Sequence, residues 1–132
     1  MEQLFLPPMT ESQSWSIVMA CLMMLADIAV GFVGAAVRHV ISSTKMREGI
    51  GHKVMVLVLI AIAYLLNVGL GHVSGSETEI PSTEIVCWYV VVMELASVLE
   101  NVALAWPEFA DTRLFRYFST FAGSDDNDNM LQ

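Results

Sequence analysis

The residues of this chain that could do chemistry lie inside an apolar stretch. Residues 85–107 read IVCWYVVVMELASVLENVALAWP and carry Glu94, Ser97, Glu100 and Asn101. A bilayer core requires about twenty mostly apolar residues of helix, and this stretch supplies them. Ionisable side chains at membrane depth are costly and usually mark a pathway, a proton relay or an assembly contact. Because the four polar side chains fit within about a third of the helix circumference, this face is predicted to meet water or a polar partner.

A second set of functional candidates lies on the first apolar stretch. Asp27, Gly31, Gly34 and Arg38 recur at helical spacing, so a carboxylate, two glycines and a cation share one face of a helix. Small residues let helices approach closely in lipid, where packing and interhelical hydrogen bonds drive association. This face is predicted to contact another helix, and the pattern fits packing within one subunit as well as packing between subunits.

The depth of the carboxylates sets what they can do. Asp27 and Glu94 fall near the centres of their apolar stretches, and we expect no Lys or Arg at that depth. A carboxylate there can be protonated, bonded to a neighbouring helix, or exposed to water that enters an assembly. Pairing inside one subunit and lining of a pore are both consistent with the sequence. Glu100 is expected nearer the inner end, within reach of Arg38 or Lys53.

The second apolar stretch carries Asn67 on the same arc as Ala63, Tyr64 and Gly71. The Asn67 amide can hydrogen-bond to a neighbouring helix, an interaction that contributes about 1 kcal/mol or less in membranes. The alternative is an amide that extends towards the membrane surface. The sequence leaves both interpretations open.

Composition defines the class of protein that positions these residues. The 132-residue chain is 55% hydrophobic and 15% charged, with a mean hydropathy of +0.60, whereas about a quarter of the residues in soluble domains are charged. The apolar residues fall in three long blocks, which predicts an all-α integral membrane protein with three transmembrane helices. Too few residues remain for a catalytic cleft. We therefore expect no enzyme, no cofactor or metal site and no nucleic-acid partner.

Hydropathy divides the chain into spans, a surface helix and two tails. Residues 1–15 contain no Lys or Arg, so they lack the positive region of a secretory signal, and the first span is expected to be retained. The predicted segments are an external tail (1–15), spans at about 16–37, 54–73 and 85–106 within a transmembrane domain (16–123), an interfacial amphipathic helix (107–122) and a disordered acidic tail (124–132).

Basic residues predict the orientation of the spans. All six Lys and Arg lie either in the connection 38–53 or after the third span, and cytoplasmic segments are enriched in these residues. An arrangement with the amino terminus outside and the carboxyl terminus inside places all of them on the cytoplasmic side. Gly49 and Gly51 predict a loop or short turn in the connection. The topology-determining residues are Arg38, Lys45, Arg47, Lys53, Arg113 and Arg116.

The two cysteines, Cys21 and Cys87, have no metal-ligand spacing and are expected to be packing residues of their spans. Both fall in the outer half of the predicted bilayer, so the sequence leaves open whether they form a disulfide. It also leaves open whether Met9 serves as a second start.

The pattern of polar and small residues resembles the phage lysis holins, in the family that also includes toxin-secretion holins of clostridia. The third span, ELASVLENVALAWP, is similar to that family's E-x-x-S-x-x-E-N followed by a proline. The resemblance covers roughly residues 26–118. It departs at Asn67, where the family often has an acidic residue, and in the acidic carboxyl tail, which is basic in many holins. The other matching positions are Asp27, Gly31, Ser43, Lys45, Gly49 and Lys53.

The resemblance implies a protein that accumulates in the host bacterial cytoplasmic membrane and assembles abruptly into holes through which an endolysin reaches the cell wall. Three helices enclose no aqueous path, so any transport requires a homo-oligomer. We predict a lumen lined mainly by the third helix and partly by the first, and a functional link to the endolysin that does not need direct binding. The alternatives are a small proton-coupled transporter or channel subunit, and a passive membrane-anchor subunit.

Overall fold

The structure is a computed structural model that describes residues 9–74 and 80–121, apart from the side chains of Ser74, Ser119 and Phe121. The predicted all-α fold is confirmed, because all regular elements of the described residues are helices. Three of these helices are long and apolar enough to cross a membrane. The predicted acidic tail and the first eight residues of the predicted external tail lie outside the described residues. The helices are α1 (Glu11–Val37), α2 (Ser43–Ser74), α3 (Ser82–Ala105), α4 (Pro107–Ala110) and α5 (Arg113–Phe121).

Helix α1 begins one turn before the apolar stretch because a capping box fixes its first turn. The Thr10 hydroxyl accepts a hydrogen bond from the Gln13 N–H at 3.2 Å, and the Gln13 side chain accepts one from the Thr10 N–H at 3.0 Å. These contacts satisfy two backbone donors that would otherwise lack partners at the helix start. The helix therefore includes polar residues that hydropathy alone assigned to the tail.

The end of α1 is defined by His39, a residue with a left-handed backbone (φ 55°). Its N–H donates to the Ala36 carbonyl at 3.1 Å, and the Arg38 side chain donates to the Gly34 carbonyl at 3.2 Å. Such contacts satisfy the last carbonyls of a helix, and a cation there is also favoured by the helix dipole. Arg38 thus closes α1, in addition to its predicted effect on topology.

Helix α2 begins at Ser43 and continues through Gly49 and Gly51, so the predicted loop in this connection is wrong. Each glycine disfavours a helix by about 1 kcal/mol. Helix elongation is cooperative, and the long apolar stretch that follows supplies many further turns. The start is capped by Ser42, whose hydroxyl accepts from the Lys45 N–H at 3.4 Å.

The three long helices form a bundle in which α1 and α3 run parallel and α2 runs antiparallel to them. The amino-terminal halves of α1 and α3 meet where Ser16 lies beside Cys87, and their carboxyl-terminal halves meet where Gly34 faces Ala105. The direction of α2 is opposite to that of α3, because Ala63 contacts Ser82 at the start of α3 whereas the earlier Lys53 contacts the later Glu94. The buried core that joins the helices comprises Ala20, Met24, Ile60, Cys87 and Val90.

The register of α2 against α3 is fixed by two contacts. Ser82 donates to the Ala63 carbonyl at 3.0 Å, and twelve residues later Glu94 meets Lys53. At about 1.5 Å of rise per residue, residues 43–52 therefore run alongside residues 95–104 of α3. We refer to residues 43–52 as the polar segment. It is helical and lies beside the carboxyl-terminal half of α3, where the sequence predicted a connecting loop.

The predicted surface helix at 107–122 is two helices in the structure, because the chain turns at Asp111 and Thr112 between α4 and α5. The Thr112 hydroxyl accepts from the Phe115 N–H at 3.3 Å and starts α5. The rings of Phe109 and Phe115 then pack edge to face across the turn, with centroids 6.0 Å apart. Location of these helices at the membrane surface stays a prediction.

The close contact between α1 and α3 makes Gly34 sensitive to added bulk. A Cβ placed at Gly34 would lie 3.4 Å from the Asn101 carbonyl oxygen and 3.5 Å from the Ala105 Cβ, which leaves room for a methyl group and little more. We expect Gly34→Ala to be nearly neutral and Gly34→Leu to destabilise the bundle by about 1–3 kcal/mol through overpacking. Unfolding in mixed micelles of SDS and dodecyl maltoside, followed by circular dichroism, measures both.

Gly69→Leu is the matched control, because a Cβ placed at Gly69 on α2 would meet no neighbouring side chain or helix within 4 Å. Equal destabilisation by leucine at both positions would contradict the assignment of Gly34 to the interhelical contact.

Candidate functional site

The centre of the bundle holds three charged side chains, one from each long helix. The Lys53 ammonium lies 2.9 Å from Asp27 Oδ2 and also contacts Glu94 Oε2. The side chains are only 10% (Lys53), 13% (Asp27) and 6% (Glu94) exposed. We refer to Asp27, Lys53 and Glu94 as the ion cluster.

The remaining acceptor capacity of the cluster is partly met by Asn101. Its Nδ2 donates to Asp27 Oδ1 at 3.0 Å, so the two oxygens of Asp27 have different partners. Gly31 provides the space for this amide, since a Cβ at Gly31 would lie 3.4 Å from Asn101 Nδ2. The glycine face of α1 and the polar face of α3 therefore act together to position one carboxylate.

The sequence-based expectation that no cation shares the depth of Asp27 and Glu94 is wrong. The sequence pattern places Lys53 in a cytoplasmic loop within reach of Glu100, because Gly49 and Gly51 indicate a break in the helix before it. Since α2 starts at Ser43, Lys53 lies ten residues inside a helix and faces the bundle. Of the alternatives for the buried carboxylates, the structure shows bonding within one subunit.

An uncompensated charge in such a site is expensive, whereas a paired one is tolerated. Removing one partner of a buried ion pair typically costs about 3–5 kcal/mol, because the other charge is left without compensation. The cluster joins two carboxylates to one ammonium, and Asn101 adds a neutral donor. Lys53 thus compensates the charge of Asp27 on α1 and that of Glu94 on α3.

The residues of the predicted polar face of α3 differ in burial in the structure. Glu94 is buried in the ion cluster, Asn101 is half-buried against α1, and Ser97 is half-buried. Glu100 is exposed. Participation of these residues, and of Asp27, in pore lining or oligomerisation stays a prediction.

Asn67 contacts the neighbouring helix α3, which is the first of the two alternatives that the sequence left open. The Ser82 hydroxyl lies 3.5 Å from Asn67 Oδ1 while it donates to the Ala63 carbonyl. Ser82 was not singled out from the sequence, and nothing in its local pattern indicated this contact. Ser82 holds the amino-terminal end of α3 against α2.

Both cysteines are free: Cys87 is buried in the core and Cys21 is half-buried. In the ranges 9–74 and 80–121, no group of three or more His, Cys, Asp or Glu side chains is placed to hold a metal ion.

The other predicted topology residues remain near one end of the bundle, where α1 and α3 end and α2 begins. Of the six, Lys53 alone is buried. The predicted orientation of that end towards the cytoplasm is not altered by this arrangement. The exposed members are Arg38, Lys45, Arg47, Arg113 and Arg116.

Comparison with known proteins identifies similar sequences. The profile of the bacteriophage holin family matches residues 9–107, which include all three long spans as far as Pro107. An uncharacterized protein of Halalkalibacterium halodurans is 35% identical over 89 residues, which represent 66% of this chain and 65% of the relative. This chain therefore covers slightly less than two thirds of that relative's length. No solved structure matches the chain.

The ion cluster predicts that Lys53→Met destabilises the bundle by about 3–5 kcal/mol, because two carboxylates lose their shared cation. The measurement is again unfolding in mixed micelles at neutral pH. Combining Lys53→Met with Asp27→Asn and Glu94→Gln should recover much of the loss, since no buried charge then remains. Lys45→Met is the matched control on an exposed position of the same helix. A similar effect of both single substitutions would refute the structural importance of the cluster.

Proposed function

This chain belongs to the bacteriophage holin family, which confirms the resemblance seen in its sequence, and we propose that it oligomerises in the host cytoplasmic membrane to form holes that release an endolysin. The family is a non-enzymatic class of membrane protein, and three apolar helices make this chain a multi-pass member. The hole, the timed lysis and the host membrane are parts of the proposal. The endolysin passes through the hole and needs no binding site on the chain.

The observation that supports hole formation is a difference in polarity between the α1 side and the α2 side of the inner half of the bundle. At the level of residues 95–104 of α3, α1 exposes apolar side chains that include Phe32 and Val33, whereas α2 exposes Arg47 and His52. A polar surface at membrane depth is unfavourable against lipid. A subunit that is apolar on its α1 side and carries charges on its α2 side suits an assembly in which the first side faces lipid and the second meets another subunit.

The ion cluster supports a closed form of the subunit that precedes the hole. With Glu94 and Asn101 bonded to other helices of the same chain, an isolated subunit presents few polar groups from its centre. In the proposed assembly, the lumen is lined mainly by α3 and partly by α1, so these side chains exchange their partners for water. Such an exchange requires the helices to separate.

A single subunit cannot be the hole. Three packed helices enclose no aqueous path, and a folded endolysin requires an opening far wider than the space between them. The proposal therefore requires many copies. It also places the amino terminus outside and α4 and α5 on the cytoplasmic side.

A proton-coupled channel or transporter subunit is the second candidate, and the position of the ion cluster favours it. Carboxylates that pair with a lysine inside a membrane are typical of proton and ion pathways. The size of what is released separates the candidates. In liposomes loaded with a small dye and a folded protein, a holin releases both, whereas a selective carrier retains the protein.

Expression together with a cytoplasmic endolysin tests the proposed function directly. We expect culture turbidity to fall suddenly after a delay, and to fall only when both proteins are present. The combined substitution Glu94→Leu and Glu100→Leu removes two carboxylates of α3, and we expect it to delay or abolish lysis at equal membrane levels of the protein. Glu108→Leu, on an exposed residue beyond α3, is the control. Unchanged lysis with the double substitution would overturn the lumen assignment.

A further inference from the structure

Two exposed residues of opposite charge lie at the same level of the bundle. Arg47 precedes Lys53 by six residues on α2, and Glu100 follows Glu94 by six residues on the antiparallel α3. Because Lys53 and Glu94 are in contact, both residues lie about 9 Å further along the bundle in the same direction. An arginine and a glutamate thus lie at the same level of the bundle, on two different helices.

These two residues do not meet within one chain. Six residues correspond to about 600° of helix rotation, so each side chain is turned about 120° from the direction of the Lys53–Glu94 contact. Both are exposed, and the ion pairs found among the described residues are those of Lys53 alone. Each charge is therefore presented away from its own bundle, on a different helix.

The surface around each charge favours contact with another helix. On α2, Gly51 follows Arg47 by one turn, and a Cβ placed at Gly51 would meet no neighbouring side chain or helix within 4 Å. The exposed Val54 continues the same side of the helix, as Met93 and Leu104 do around Glu100 on α3. Each face therefore consists of one charge with apolar or small neighbours, and the two faces are complementary in charge.

We infer that Arg47 of one copy pairs with Glu100 of the next copy, in an inference that rests on the proposed oligomeric function and identifies one contact within it. The same depth of the two residues allows the copies to associate upright in one membrane. Pairing also removes two unpaired charges from lipid, where isolated charges are costly. The contact joins two different surfaces, so each copy of a docked pair keeps one free face. The pair therefore presents one Arg47 face and one Glu100 face, and the assembly can grow beyond a dimer.

Cross-linking tests the contact without relying on lysis. In a background of Cys21→Ser and Cys87→Ala, copies carrying Val54→Cys and differently tagged copies carrying Met93→Cys are expressed together and treated with a bismaleimide in isolated membranes. Both positions are exposed on the faces that carry Arg47 and Glu100, and both charges stay native. We expect mixed dimers, and a ladder of higher oligomers when both cysteines are in one chain. Absence of mixed dimers, or cross-links only between identical positions, would overturn the inference.

Charge reversal in the otherwise native chain is the second measurement. We expect Arg47→Glu and Glu100→Arg each to lower the association constant in micelles about ten-fold, equivalent to about 1.4 kcal/mol, and the combined reversal to restore it. Glu48→Arg is the control, on the residue next to Arg47 but on a different side of the helix. Failure of the combined reversal to restore association would overturn the pairing and indicate that the charges bind lipid headgroups or another protein.

The outcomes separate the inference from the function on which it rests. Lysis with an endolysin in the absence of mixed cross-links removes the Arg47–Glu100 contact and leaves the holin function. Cross-linked oligomers in a chain that releases no endolysin keep the contact and remove the proposed function.

Discussion

The contact of Lys53 with Asp27 and Glu94 is the interaction on which the arrangement of the three long helices depends. It is the point where α1, α2 and α3 each contribute a charged side chain to one buried site. In a low-dielectric interior, each of these charges is stable only while the others are present. The cluster therefore fixes the depth of α2 relative to α3 more strictly than apolar packing does, because apolar side chains can pack in several registers.

That register has a cost and a consequence. It brings the polar segment beside the carboxyl-terminal half of α3, although the apolar part of α2 would match the other spans better if α2 were displaced along its axis. The bundle consequently exposes Arg47 at the level where α1 exposes Phe32. In the proposed assembly this surface meets another subunit, because a polar surface is unfavourable against lipid.

The three long helices differ in how closely they pack against one another. α1 and α3 form a close pair, since Gly31 and Gly34 admit Asn101 and the α3 backbone, and Asn101 bonds to Asp27. α2 is joined to this pair by the ion cluster, by Ser82 and by a small apolar core. Loss of the charges would therefore act first on the position of α2. In the proposed assembly, α2 is therefore the element that a few polar contacts hold in place until the subunit opens.

The sequence by itself determined the three apolar helices, the polar face of α3, the glycine face of α1 and the family, because hydropathy and helical spacing are local properties. It also indicated that Asp27 and Glu94 needed partners. It did not identify Lys53 as that partner, since glycines at 49 and 51 suggested a loop and placed the lysine outside the membrane. Whether a helix continues through two glycines depends on cooperative elongation, and which residues share a depth depends on the register between helices. Only the structure decided these points, because elongation depends on the many turns that follow the glycines and the register arises from contacts between residues far apart in the chain.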